Sequence, residues 1–147
     1  LKEGCASGTR ASLLPTAVLA AAGHRQAGSA AAPVNAVSHW LWGDESLHED
    51  RADLRHTLTG YVTHHLAAVF WATLYARVRG RPARTLPEAL AGGLAASATA
   101  AAFDYTLVPR RLTPGFEHRL SMAPLAATFG ALGIGMALGA LLVRKYE

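Results

Sequence analysis

Cysteine is almost absent: Cys5 is the only one among 147 residues. No internal disulfide and no cysteine-based zinc site can form within the chain. Charge is scarce too, at 16% of residues, where soluble domains run near about 25%. Catalytic signatures are missing. There is no His-Glu-x-x-His pair, no phosphate-cradling glycine loop and no Gly-x-Ser-x-Gly elbow. An enzymatic role therefore has no motif to carry it and stays an open question. Only Leu1-Lys2-Glu3-Gly4 precedes Cys5, with no apolar stretch, so neither a lipoprotein cysteine nor a cleavable signal peptide is expected.

What is present is apolar and blocky. Hydrophobic residues make up 51% of the chain. Thr57 to Ala76, Ala89 to Phe103 and Ser121 to Val143 contain no Lys, Arg, Asp or Glu. A soluble core of this size cannot hide so many uniformly apolar stretches. A bilayer can, because a spanning helix needs about 20 apolar residues. The sequence predicts an all-α fold: one polytopic membrane helix bundle of about four embedded spans, near 4–23, 57–78, 86–108 and 122–143. The first span carries Arg10, which would have to snorkel to the surface, and Pro15, a point for a kink. A shorter helix is expected near 29–43, opened by Ser29 and closed by Gly43. It is too short to cross, so it reads as re-entrant or interfacial, with Trp40 and Trp42 at headgroup level.

Basic residues gather at the helix ends. The net charge is +4. No basic stripe interleaves with aromatics, so lipid headgroups are the expected partner and nucleic acid is not. Lys2, Arg10, Arg77, Arg79, Arg81, Arg84, Arg144 and Lys145 fall on one side of the predicted topology. Arg25, Arg51, Arg55, Arg110, Arg111 and Arg119 fall on the other, with most of the loop acids. That bias puts both termini in the cytoplasm.

Small residues recur at every fourth position. The second span has Gly60, Ala68, Ala72 and Ala76 in register with His64. The third has Gly92, Ala96 and Ala100 in register with Asp104, and the fourth has Ala127, Ala131, Gly135 and Gly139. Such ridges let membrane helices approach closely, within one chain or between partners in a homo-oligomer. His64 and Asp104 lie at similar depth if their helices are antiparallel neighbours. An Asp–His hydrogen bond would then satisfy both. His39, His65 and His118 are candidates for the same polar cluster near the outer face. The cluster reads as a structural clamp, as a metal or haem site using His39, His64, His65 and Asp104, or as a proton or substrate path. Arg110, Arg111 and Arg119 are candidate contacts for a lipid phosphate or another anion, or for Asp44, Glu45 and Asp50.

Two stretches carry a resemblance. They are Pro33-Val-Asn35-Ala-Val-Ser38-His39-Trp40-Leu-Trp42-Gly43-Asp44 and Asp104-Tyr105-Thr-Leu-Val-Pro109-Arg110-Arg111-Leu-Thr-Pro114-Gly115-Phe-Glu117. Together they resemble small, uncharacterised multi-pass inner-membrane proteins of Gram-negative bacteria. The resemblance implies a four-helix protein of the inner membrane and no particular activity. The expected function is that of an accessory or interaction subunit. A metal- or haem-binding redox protein and a small transporter or channel component are the alternatives.

Overall fold

The computed structural model describes residues 2–143. Arg144 and Lys145, expected to stop the last span, lie outside the described residues, as do the side chains of Cys5 and Arg10. Helices α1 (Lys2–Gln26), α4 (Thr59–Arg79), α5 (Leu86–Thr106) and α6 (Met122–Val143) form the body of a helix bundle. Two short helices, α2 (Ala32–Val37) and α3 (His39–Trp42), lie between α1 and α4. No strand occurs among the described residues.

Each long helix starts and stops for a local reason. Thr85 accepts the Glu88 backbone N–H and so caps α5, with Pro87 in the first turn. Gly80 takes a left-handed conformation (φ 70°) and ends α4. Asp53 accepts the His56 backbone N–H ahead of a single π-helical turn, Leu54–Leu58, that runs into α4. Helix α1 passes unbroken through the buried Pro15.

The long helices are antiparallel, in the spatial order α4, α1, α6, α5. Residues Ser12 and His65 join α1 to α4, Gln26 and Ser121 join α1 to α6, and Ser97 and Phe129 join α5 to α6. Helices α4 and α5 are consecutive in sequence yet touch only lightly.

The core is layered along the bundle axis. Leu19, Val34, Val37, Phe116, Leu120 and Leu125 fill the end next to α2. Ala11, Ala68, Ala72, Leu132 and Met136 fill the middle. The far end has four buried alanines, Ala83, Ala89, Ala137 and Ala140, with the partly buried Tyr75, Leu90 and Leu141 packed against them. The expected ridges on α4 and α6 face inward at Gly60, Ala68, Ala72, Ala131, Gly135 and Gly139, while Ala76 is half-buried and Ala127 is exposed. On α5 the buried positions are Ala89, Gly93, Ser97 and Ala100, so most of its inward face is one residue beyond the expected ridge.

The expectation of about four membrane spans is corrected. Among the described residues only α6 is long and apolar enough to cross a membrane, over the 21 residues Met122–Leu142. The other three have the length but not the hydropathy. Alanine and glycine fill them without making them strongly apolar, and polar side chains dilute them further. Arg10 interrupts α1, His64 and His65 interrupt α4, and Ser97, Thr99 and Asp104 interrupt α5. The segment read as one interfacial helix near 29–43 is two shorter ones, α2 and α3, and every residue of α2 is buried.

At Gly60 the backbone of α4 meets the Val34 carbonyl of α2, and a Cβ added there would overlap that oxygen. Gly60→Ala should therefore lower stability by about 1–3 kcal/mol, outweighing the roughly 1 kcal/mol that alanine gains over glycine inside a helix. Gly130 has nothing within 4 Å of the same position, so Gly130→Ala should be neutral or stabilising. Thermal melts of the two variants beside wild type check both signs.

Candidate functional site

The polar side chains that converge do so at one end of the bundle. There α2, α3 and the loops at 43–58 and 107–121 form a head over the ends of the long helices. Its centre is Asn35, which is completely buried. The Asn35 amide donates to the Glu49 and Arg51 carbonyl oxygens, both at 2.9 Å. Its oxygen accepts the Thr57 hydroxyl at 2.6 Å, and Thr57 in turn accepts the Asp53 backbone N–H at 3.0 Å. One amide thus ties α2 to the loop and to the start of α4. Ser29 adds a tie from the other side, accepting backbone N–H groups of Ala31 and Ala32 and donating to the Asp50 carbonyl.

The second loop locks in from above. Trp40 donates its indole N–H to the Thr113 carbonyl at 2.8 Å. Arg111 donates to the His39 carbonyl, at the junction of α2 and α3, at 2.6 Å. Arg119 donates to the Leu47 carbonyl at 3.0 Å and pairs with Asp50. Gly115 (φ 94°) lies against the Ala36 carbonyl and the His39 ring, where a side chain would clash. Of the three loop arginines expected to meet an anion, Arg111 and Arg119 are thus bonded inside the head and Arg110 is exposed.

The expected histidine cluster is dispersed. His39 is buried in the head, with Nδ1 against the Ala36 carbonyl at 2.8 Å. His64 and His65 sit lower on α4 and face α1. His65 Nδ1 lies 2.8 Å from the Ser12 hydroxyl, and Tyr61 stacks on the His65 ring. His64 has a buried Nε2 without a hydrogen-bond partner. His118 is half exposed beside Glu117. Asp104 is on α5 near Tyr105 and Glu117. No hydrogen bond or ion pair joins Asp104 to His64 among the described residues. The helix order explains this: α4 turns its polar residues to α1, and α5 turns its buried face to α6.

The one group of ligand-type side chains that converges among the described residues is different. Atoms of Glu49, Asp53 and His56 all lie within 4.8 Å of one another. Each is already bonded. Asp53 accepts the His56 backbone N–H at 2.6 Å and faces the His56 ring at 3.0 Å. Glu49 accepts the Arg51 backbone N–H at 2.8 Å. These bonds hold both carboxyls below the usual carboxylate range, chiefly through the backbone N–H of His56 for Asp53 and of Arg51 for Glu49. As it stands the group works as a helix cap and loop clasp. Sequence reasoning missed Asn35, Asp53 and Thr57. The available signal was Asp53 three residues ahead of His56, just before an apolar run.

Asn35→Ala leaves two carbonyls and a hydroxyl without partners in a buried place. It should lower stability by about 3 kcal/mol or more, read by chemical unfolding. Asp53 has a lowered folded pKa, so its contribution is complete above the unfolded value of about 4 and is lost as pH falls through the folded one. Wild type should lose melting temperature below about pH 4, and Asp53→Asn should lose less over the same interval. Melts across the acid range compare the two slopes.

No protein-family model, no curated protein and no solved structure matches this chain.

Proposed function

We propose that this chain is a membrane-resident helical protein, crossing the bilayer through α6, that serves as an accessory or interaction subunit. One observation carries the reading: on α4 the large apolar side chains point outward while small ones face the interior. On α4, Leu58, Val62, Leu66, Phe70, Leu74 and Val78 are all exposed, with Leu66 at 61% and Phe70 at 60%. Their inward counterparts are Gly60, Ala68 and Ala72. Leu13 and Leu14 on α1, Leu94 and Phe103 on α5, and Ile134 and Leu138 on α6 are exposed as well. Water would penalise this arrangement, and soluble monomers rarely leave apolar patches beyond a few hundred Å². Hydrocarbon does not penalise it.

The interaction role is supported by α5. It turns Ala91, Ala98 and Ala102 outward, a face on which a second membrane helix can approach closely. The head, by contrast, joins its polar groups to each other and so serves as a rigid lid on the bundle. An inner-membrane location follows the same reading, with the head on the side of the two long loops.

Membranes from expressing cells, washed with alkaline carbonate, test the proposal. The protein should stay in the pellet and leave it only with detergent. A monodisperse protein in detergent-free buffer would sink the membrane reading.

A further inference from the structure

Helices α4 and α5 follow each other in sequence but pack on different neighbours, α1 and α6. A groove remains between them. Its volume is about 290 Å³, and Trp71, Tyr75 and Val78 face Gly92, Ala96 and Thr99 across it. The walls are almost all carbon. Thr99 donates its hydroxyl to the Ala95 carbonyl at 2.9 Å, which leaves its methyl to the groove. The Tyr75 hydroxyl lies close against α5 at Gly92, where a Cβ would collide with it.

From Trp71 to Val78 the groove runs about 10 Å at the helical rise, and its apolar walls suit hydrocarbon.

The Val78 end opens among arginines. Arg77, Arg79, Arg81 and Arg84 lie between the last turn of α4 and the start of α5, with Glu88 the one acid in the same stretch. Arg77 is exposed and is next in sequence to Val78, which lines the groove. Arg79 lies over the Tyr75 ring, 5.5 Å from its centroid. Glu88 pairs with Arg81 at 2.9 Å and accepts the Arg84 backbone N–H. The end keeps a clear positive excess next to an apolar slot. Guanidinium groups suit phosphate, and basic residues at a membrane surface favour anionic lipid.

We propose that this groove and its arginine rim hold one anionic phospholipid, an acyl chain between α4 and α5 and the phosphate at Arg77 and Arg81. The proposal rests on the membrane reading. A lipid seated there would fill the gap that the light α4–α5 contact leaves open.

Native mass spectrometry of the protein in neutral detergent, titrated with phosphatidylglycerol or with phosphatidylcholine of the same chains, tests it. Wild type should retain one phosphatidylglycerol with an affinity at least about fivefold above that for phosphatidylcholine, the scale of one basic residue at a charged surface. Arg77→Ala should weaken phosphatidylglycerol alone. Ala95→Leu places bulk in the groove from an exposed position and should weaken both lipids. Equal affinity for the two headgroups, or binding unchanged by Ala95→Leu in a protein that melts like wild type, overturns the lipid site while the membrane reading stands. A protein that stays monodisperse without detergent overturns both.

Discussion

Where α6 passes α1 there is no room for a methyl group: a Cβ on Gly135 would lie 2.6 Å from the Ala11 Cα. Gly93 and Gly133 make a similar approach between α5 and α6. Backbone therefore fills these crossings, where side chains meet in most bundles, and main-chain dispersion contacts hold them. Leu19, Leu125, Leu132 and Met136 still pack in the core, while the leucines and phenylalanines of the outer faces are left at the perimeter, where their surroundings decide whether they stabilise anything.

The head follows from the same geometry. Helices α1 and α4 are antiparallel neighbours, yet 32 residues, 27–58, intervene where a short hairpin would have sufficed. That connection must be folded back over the bundle end, and its backbone groups need partners. Asn35 supplies two of them from one side chain, whose oxygen also accepts the Thr57 hydroxyl. Arg111 and Arg119 supply others by donating to carbonyls at the ends of short helical segments. Polar residues that look ligand-like in sequence are, in the structure, the bonds that let a long connection be compact.

The four long helices were legible because apolar stretches ended abruptly at Gly80, at Thr85-Leu-Pro87 and at the turn before Met122. The number of crossings was over-read, because an unbroken run of alanine looks as apolar as one of leucine while burying far less. Helix faces were legible on α4 and α6, where large residues contrast with small ones. On α5 nearly every position is small, so Gly92 and Gly93 are equally good guesses and the pattern cannot choose. The partner of His65 was hidden for another reason. Ser12 is 53 residues away, and nothing local says that α4 lies beside α1 while holding α5 at a distance.

The two ends of the bundle are made of different materials. The head end combines leucine, valine and phenylalanine packing with a mesh of side-chain hydrogen bonds. At the far end the buried side chains are four alanines, with Tyr75, Leu90 and Leu141 packed around them. Residues 80–85 tie α4 to α5 at that same end. Where side-chain packing is thinnest, the chain itself supplies the hinge pin that keeps the two helices together.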